Sequence, residues 1–376
     1  MEFKINNDYF NKAISDVSKA VTSKTPNPIL TGIKMVAKAN SLTLIGSNSD
    51  IVIEREIPKA SEGLNMLEVY KTGSVVISAK YLSEIIKKLP NDIYIKVNEN
   101  QLVTIQSEEI ITRLNGLNDT EYPTLPEFKL SNKIRIASNV LLNIIKQTVF
   151  ATSKSETRPV LTGVNFYFQK DLLTCVATNS QRLSLVNHKI QSDLNGSFIV
   201  PSTSLIEFSK LISSYTKDID IFITETNILF KSNSTSLYSR LIEGSYPNIS
   251  GLIPQQSSTI VTLDTKQLLS GVERASIFAS DWRNNNINFR IEDKSKIKIF
   301  SKSSGMGQIE EIQSIKNISG ETELNVSLDG NFMMDALKRI KEGEVSLSFN
   351  GSMRPILIVP IGNDSHLQLI SPVRSN

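Results

Sequence analysis

The sequence predicts an α+β protein of three similar domains, each with two helices packed on antiparallel sheets. The chain repeats itself: "PILTG" at 28–32 returns as "PVLTG" at 159–163. The offset that carries Leu30-Thr31-Gly32 onto Leu161-Thr162-Gly163 also carries Leu42-Thr43 onto Leu173-Thr174 and Asn48-Ser49 onto Asn179-Ser180. Most other segments alternate apolar and polar residues, the period of a half-buried strand. Each copy opens alike, with "FKINNDYFNKAISDVSKAV", "IRIASNVLLNIIKQTVFAT" and "IVTLDTKQLLSGVERASIF".

In each opening a short strand precedes a polar N-cap (Asn6 or Asn7, Ser138, Asp264) and then apolar residues at helical spacing. Second helices follow at "SAKYLSEIIKKLP" (78–90), "PSTSLIEFSKLISSY" (201–215) and "DGNFMMDALKRIKEG" (329–343). "DIYIKVNENQLVTIQS" reads as two strands around an Asn-Glu-Asn turn, and "DIDIFITETNILFKS" as their counterpart in the second copy. Further on, Arg113-Leu114 and Tyr122-Pro123 answer Arg240-Leu241 and Tyr246-Pro247, with loops of different length between them. The third copy is fainter: "INFRIEDKSKIKIFS" keeps the alternation of "VNFYFQKDLLTCVAT" and has lost "LTG". Pro, Ser and Gln interrupt the pattern at 124–132 and 247–258, which sets the expected domains at 1–126, 127–254 and 255–376.

At 376 residues the chain exceeds one ordinary core, and 40% hydrophobic with 21% charged residues is globular composition. No apolar run approaches the ~20 residues of a membrane span, and Met1 leads into polar "EFKINND", so a soluble cytoplasmic protein is expected. The single cysteine, Cys175, sits in "LLTCVAT" and reads as a small core residue; it excludes an internal disulfide and a cysteine metal cluster. His188 and His366 stand without metal-like spacing and read as surface or half-buried structural residues. There is no phosphate-binding G-x-x-x-x-G-K-[ST] loop, and "GMGQ" (305–308) reads as a hairpin turn. Glu108-Glu109, Glu310-Glu311 and the Asp218/Asp220 pair lie in strand patterns. Carboxylates at i and i+2 share a face and could hold Mg²⁺, but with no third acidic neighbour they read as solvated strand edges. No catalytic residue, metal or cofactor is expected.

Charge is placed unevenly. The chain is only +3, yet helical segments 7–24, 79–88, 138–158, 202–217 and 329–341 are each net basic while 264–283 is balanced, leaving the strands and loops net acidic. A basic helical surface attracts a phosphate backbone without base readout. Lysines are equally good helix formers on a wet face, so charge alone leaves both readings open.

The ordered set "PNPILTGIKM", "TRPVLTGVNF", "LTCVATNSQRLSL", "RLIEGSYP", "NFMMDALK" and "LQLISPVR" resembles the bacterial DNA polymerase III beta subunit, the replicative sliding clamp, from Met1 to about Arg374. The resemblance implies the DNA clamp fold and a head-to-tail homodimeric ring of six domains, with helices lining the hole. Double-stranded DNA would be held sequence-independently by residues drawn from Lys12, Lys19, Lys24, Lys80, Lys87, Lys88, Lys146, Lys154, Arg158, Lys210, Lys217, Lys266, Arg274, Lys338 and Arg339. The seam would join an edge strand near 103–112, including Thr112, to one near 297–303. Ile277 and Phe278 would pack there, or have an ordinary core role. Partners implied are the replicative DNA polymerase, the clamp loader and other proteins carrying clamp-binding peptides, with no membrane.

The same resemblance implies a peptide pocket between the second and third domains. Its wall would be Leu161, Thr178, Ser180, Gln181, Arg182, Leu183, Pro247, Leu252, Leu369, Ile370, Ser371, Pro372 and Val373. Family members usually carry His where Gln181 stands, Arg where Gly251 stands and a larger apolar residue where Ser371 stands, so an altered or weakened peptide preference is expected. A pI near 8.7 also departs from the family's acidic balance and points to tighter DNA contact or an accessory clamp. The rivals are a metal-dependent hydrolase on the repeated scaffold and a clamp-like decoy that encircles no DNA.

Overall fold

The structure, a computed structural model, describes all residues except 62, 129–132, 213–215, 280–284, 304 and 374–376. The ends of segments 124–132, 201–215 and 264–283, and of the likeness at Arg374, lie outside the described residues. The helices among the described residues are α1 (Asn7–Val17), α2 (Ala79–Ile86), α3 (Ser138–Thr148), α4 (Ser202–Leu211), α5 (Thr265–Ala279) and α6 (Gly330–Leu337), two for each sequence copy.

The helix starts follow from capping. Asn6 accepts from the backbone N–H of Asp8 at 3.1 Å and of Tyr9 at 3.4 Å, and α1 then buries Phe10, Ala13, Ile14 and Val17 along one face. Asp264 accepts from the Gln267 N–H at 2.9 Å, and Asp329 caps α6 through the N–H groups of Asn331 and Phe332. Ser138 does not cap: it is the first residue of α3, and its hydroxyl donates to the Thr216 carbonyl instead.

The chain groups into two compact units, Met1–Val140 with Thr203–Leu241, and Leu141–Ser202 with Ile242–Asn376. In the first unit, strand Ile51–Pro58 pairs antiparallel with Thr235–Arg240, Ile53 opposite Leu237, so strands of the first and second copies share one eight-stranded sheet. A five-stranded sheet runs from edge strand Ile110–Asn115 through Leu102–Ser107, Ile93–Val97 and Glu2–Ile5 to Leu67–Lys71. Helix α1 packs on α2, and Phe3 meets Phe10 edge-on beneath them.

In the second unit, strand Arg182–Lys189 pairs antiparallel with His366–Ile370, Leu183 opposite Leu369, inside a nine-stranded sheet. A four-stranded sheet runs Gly307–Ser314, Lys296–Ser303, Asn286–Asp293, Asn325–Asp329. Helix α5 packs on α6, over a core that includes Leu268, Val272, Phe289 and Phe349.

The repeated pentapeptide is a 3-10 turn feeding a strand in both copies, Pro28–Thr31 and Pro159–Thr162. In each, the threonine hydroxyl donates to the proline carbonyl at 2.8 Å. The glycine is required by close approach. A β-carbon at Gly32 would sit 2.6 Å from Val76 Cγ1, and one at Gly163 2.7 Å from Ile199 Cγ2.

Cys175 is fully buried, and burial pushes its thiol far above the ordinary range. His188 is half-buried. His366 departs from expectation: it is fully buried, with Gln147 Nε2 3.3 Å from Nδ1 and Ser184 Oγ 3.3 Å from Nε2, because its strand is interior to the large sheet. The acidic pairs meet cations or amides. Asp220 accepts from Arg135 at 2.7 Å, Glu310 lies 2.7 Å from Lys298, and Glu108 accepts from Asn91. Among the described residues no group of three metal-ligating side chains forms, and no helix is long and apolar enough to cross a membrane.

Candidate nucleic-acid interface, ring edges and peptide pocket

The basic residues divide by their partners. Lys24, Lys80, Lys87, Lys146, Lys154, Arg158, Lys217 and Lys266 are exposed and form no ion pair with another described residue. Lys88 is 4.0 Å from Glu84, Lys210 is 2.8 Å from Glu207, and Lys338 is 3.0 Å from Glu273; such exposed pairs hold their cations loosely. Lys12 and Lys19 share Asp16 at 2.9 and 3.1 Å. Two expected DNA contacts are occupied elsewhere. Arg274 makes a two-pronged pair with Glu311 of strand Gly307–Ser314, 2.7 Å at both contacts, which keeps the Glu311 carboxyl below its usual range. Arg339 is half-buried with its guanidinium 5.6 Å from the Phe150 ring centre.

The outer edges of the two smaller sheets carry exposed apolar residues. On Ile110–Asn115, Ile110 and Ile111 are 44% and 50% exposed, and Thr112 is half-buried opposite Ile105. Both expected edge strands are corrected: 103–112 covers the interior strand Leu102–Ser107 and only the start of the edge strand Ile110–Asn115, while 297–303 is interior and Gly307–Ser314 is outermost. Both hairpin strands alternate apolar and polar residues, so sequence could not rank them. Ile312 and Met306 are exposed there, and Ile277 of α5 is 65% exposed, which removes the core alternative for it. Phe278 is half-buried, and its ring lies 3.2 Å from where a β-carbon on Gly307 would stand.

Most residues named for the pocket gather within the second unit. Leu183 and Leu369 pack with Val176 and Leu185, and Tyr246, Ile249, Ile253, Leu357 and Leu367 surround them, partly buried. Tyr246, Ile249, Val176 and Leu185 were not assigned to the pocket from sequence, although the alternation of Leu183 with Leu185 points to Leu185 and the Tyr-Pro repeat to Tyr246. Thr178 donates to the Arg182 carbonyl at 2.6 Å and accepts from the Ser180 N–H at 3.1 Å, closing a tight turn in which Ser180 has φ 76°. Gln181 is exposed on that turn, and its carbonyl accepts from the Ser371 N–H at 2.8 Å. Pro247 and Leu252 are exposed, Leu161 is buried, and Pro372 and Val373 are half-buried, Val373 N donating to the Ser327 carbonyl.

Two pocket assignments change. Ile370 faces the opposite side of its strand and belongs to the core with Phe349 and Leu328, since successive strand residues point to opposite faces. Arg182 is a largely buried clamp: it reaches Asp335 at 2.6 Å and the Phe150 carbonyl, and lies 4.5 Å from the Phe332 ring centre.

The helices themselves are not net basic overall; the excess cations of the expected segments lie just past the helix ends, as with Lys87, Lys154 and Lys217. Repeated α+β domains with exposed cations on and after their helices and with open sheet edges define a clamp-type protein. Residues 1–126, 135–248 and 250–374 match, in order, the N-terminal, central and C-terminal domains of the DNA polymerase III beta subunit. A beta sliding clamp of Bacillus subtilis is 42% identical over 100% of both chains, and one of Staphylococcus aureus is 38% identical with the same coverage. A crystal structure of the DNA polymerase sliding clamp from Bacillus subtilis superposes with TM-score 0.97 at 41% identity, covering 100% of both chains. The chain belongs to the family of DNA polymerase III beta subunits, the beta sliding clamps.

Proposed function

We propose that two copies of this chain close head to tail around duplex DNA and tether the replicative polymerase for processive synthesis. The observation that carries the proposal is the pairing of exposed, unneutralised cations on the helices and just past their ends with open, apolar sheet edges. Each copy would supply domains 1–126, 127–254 and 255–376. Strand Ile110–Asn115 with Thr112 would add to Gly307–Ser314 of the second copy, with Ile277 and Phe278 at the seam, a heterologous contact that closes after two subunits.

Lys24, Lys80, Lys87, Lys88, Lys146, Lys154, Arg158, Lys210, Lys217, Lys266 and Lys338 would face phosphates and act without base readout, so the ring slides. Topology, rather than affinity, would keep it on DNA. The chain performs no chemistry and needs no cofactor; it works in the cytoplasm with the clamp loader. Peptides from the polymerase, the loader and other partners would anchor apolar side chains over Leu183, Leu369 and Leu252. Gln181, Gly251 and Ser371 support a weaker or shifted peptide preference. Primer extension on a primed circle tests the function: product length rises when the clamp and its loader are added, and an unchanged length contradicts it.

A further inference from the structure

Asp16, the shared partner of Lys12 and Lys19, takes no part in the proposed function. It lies on the buried side of α1, 1% exposed, yet three cations converge on it: Lys12 Nζ at 2.9 Å and Lys19 Nζ at 3.1 Å, both on Oδ1, and Arg55 Nε 4.0 Å from Oδ2. Oδ2 accepts no hydrogen bond. Arg55, in the shared eight-stranded sheet, is held from its other side by a hydrogen bond to Thr235 of the second copy. Lys19 also reaches the Lys210 carbonyl at 3.4 Å, at the end of α4. One carboxylate therefore holds two lysines of the basic surface. Lys80 on neighbouring α2 and Lys87 just after it have no such partner among the described residues.

We propose that Asp16 is a positioning residue that damps the grip of α1 on DNA, tying down Lys12 and Lys19 so that duplex passes this helix without being held. The inference rests on the proposed DNA-facing role of the helices. An ammonium that donates to a nearby carboxylate releases no counterion from a phosphate until it lets go, so each tied lysine contributes little to salt-dependent binding. The exposed Lys80 and Lys87 contribute in full. Attraction on this face is thus set by burying one acid beneath the lysines, with their number unchanged.

Binding of a fluorescent DNA duplex by the full chain across a salt series tests this, with variants Asp16→Asn, Lys12→Gln and Lys87→Gln. Lys87→Gln is expected to weaken binding and to lower the slope of log K against log salt by about 0.9, the value for one phosphate contact. Lys12→Gln is expected to change the slope by less than half as much. Asp16→Asn is expected to tighten binding several-fold at low salt and to steepen the slope, whatever it does to the melting temperature; a purely structural role would not steepen it. An unchanged or shallower slope in Asp16→Asn overturns the inference. So does a loss in Lys12→Gln equal to that in Lys87→Gln, which needs no acid variant to fold. A Lys87→Gln protein that binds like the parent overturns the DNA-facing role itself.

Discussion

Arg182 shows how a residue read as a wall becomes a support. Its side chain is 10% exposed, lies between two aromatic rings and pairs with an Asp335 side chain that is 44% exposed. Arg182→Ala is expected to cost about 1.5–3 kcal/mol in urea unfolding, the range for hydrogen bonds to charged groups, whereas Asp335→Asn costs under about 1 kcal/mol because water replaces part of the pair. His366 gives a pH dependence. Burial lowers its pKa from 6.5 to about 4, so between those values the unfolded chain binds the extra proton and the folded chain does not. Its contribution is whole above about pH 6.5 and is lost as pH falls toward 4, about 3 kcal/mol in all. Urea midpoints measured from pH 7 to 4 are expected to fall less steeply in His366→Gln. Residue burial was only partly legible in sequence. Cys175 announced its depth through apolar neighbours, but His366 sits between Ser365 and Leu367, and its partner Gln147 is 219 positions away.

At the scale of elements, the caps at Asn6 and Asp264 could be read because capping is local, whereas Ser138 was misread because a carbonyl distant in sequence captured its hydroxyl. The sheet edges follow the same rule. Alternation pointed to a strand near 297–303 and to a strand pattern around Glu310-Glu311, but which of the two is outermost depends on pairing that no short window contains. Ile277→Asp and Ile111→Asp place a charge on residues that are 65% and 50% exposed. Each is expected to convert a dimer to a monomer in sedimentation while moving chain stability by no more than about 0.5 kcal/mol. Gly46 is a contrasting case. A β-carbon there would stand 2.1 Å from the Val17 carbonyl oxygen where α1 ends, so Gly46→Ala is expected to cost about 1–3 kcal/mol in unfolding through overpacking and backbone displacement.

At the scale of the whole molecule, the triplication was legible because the copies keep the same order of strand and helix patterns, even where loop lengths differ and the third has lost "LTG". The grouping into two compact units that cut across the copies was not. It follows from long-range strand pairs, Ile51–Pro58 with Thr235–Arg240 and Arg182–Lys189 with His366–Ile370, each of which fuses two copies into one sheet. The full-length family match and the exposed lysines converge on one central claim, that the chain is held on DNA by encirclement. That claim is tested most directly by loading the protein onto a nicked circular plasmid, cutting the plasmid once, and measuring the protein retained before and after. The account predicts stable retention on the circle and rapid loss from the linear form; equal retention on both would contradict it.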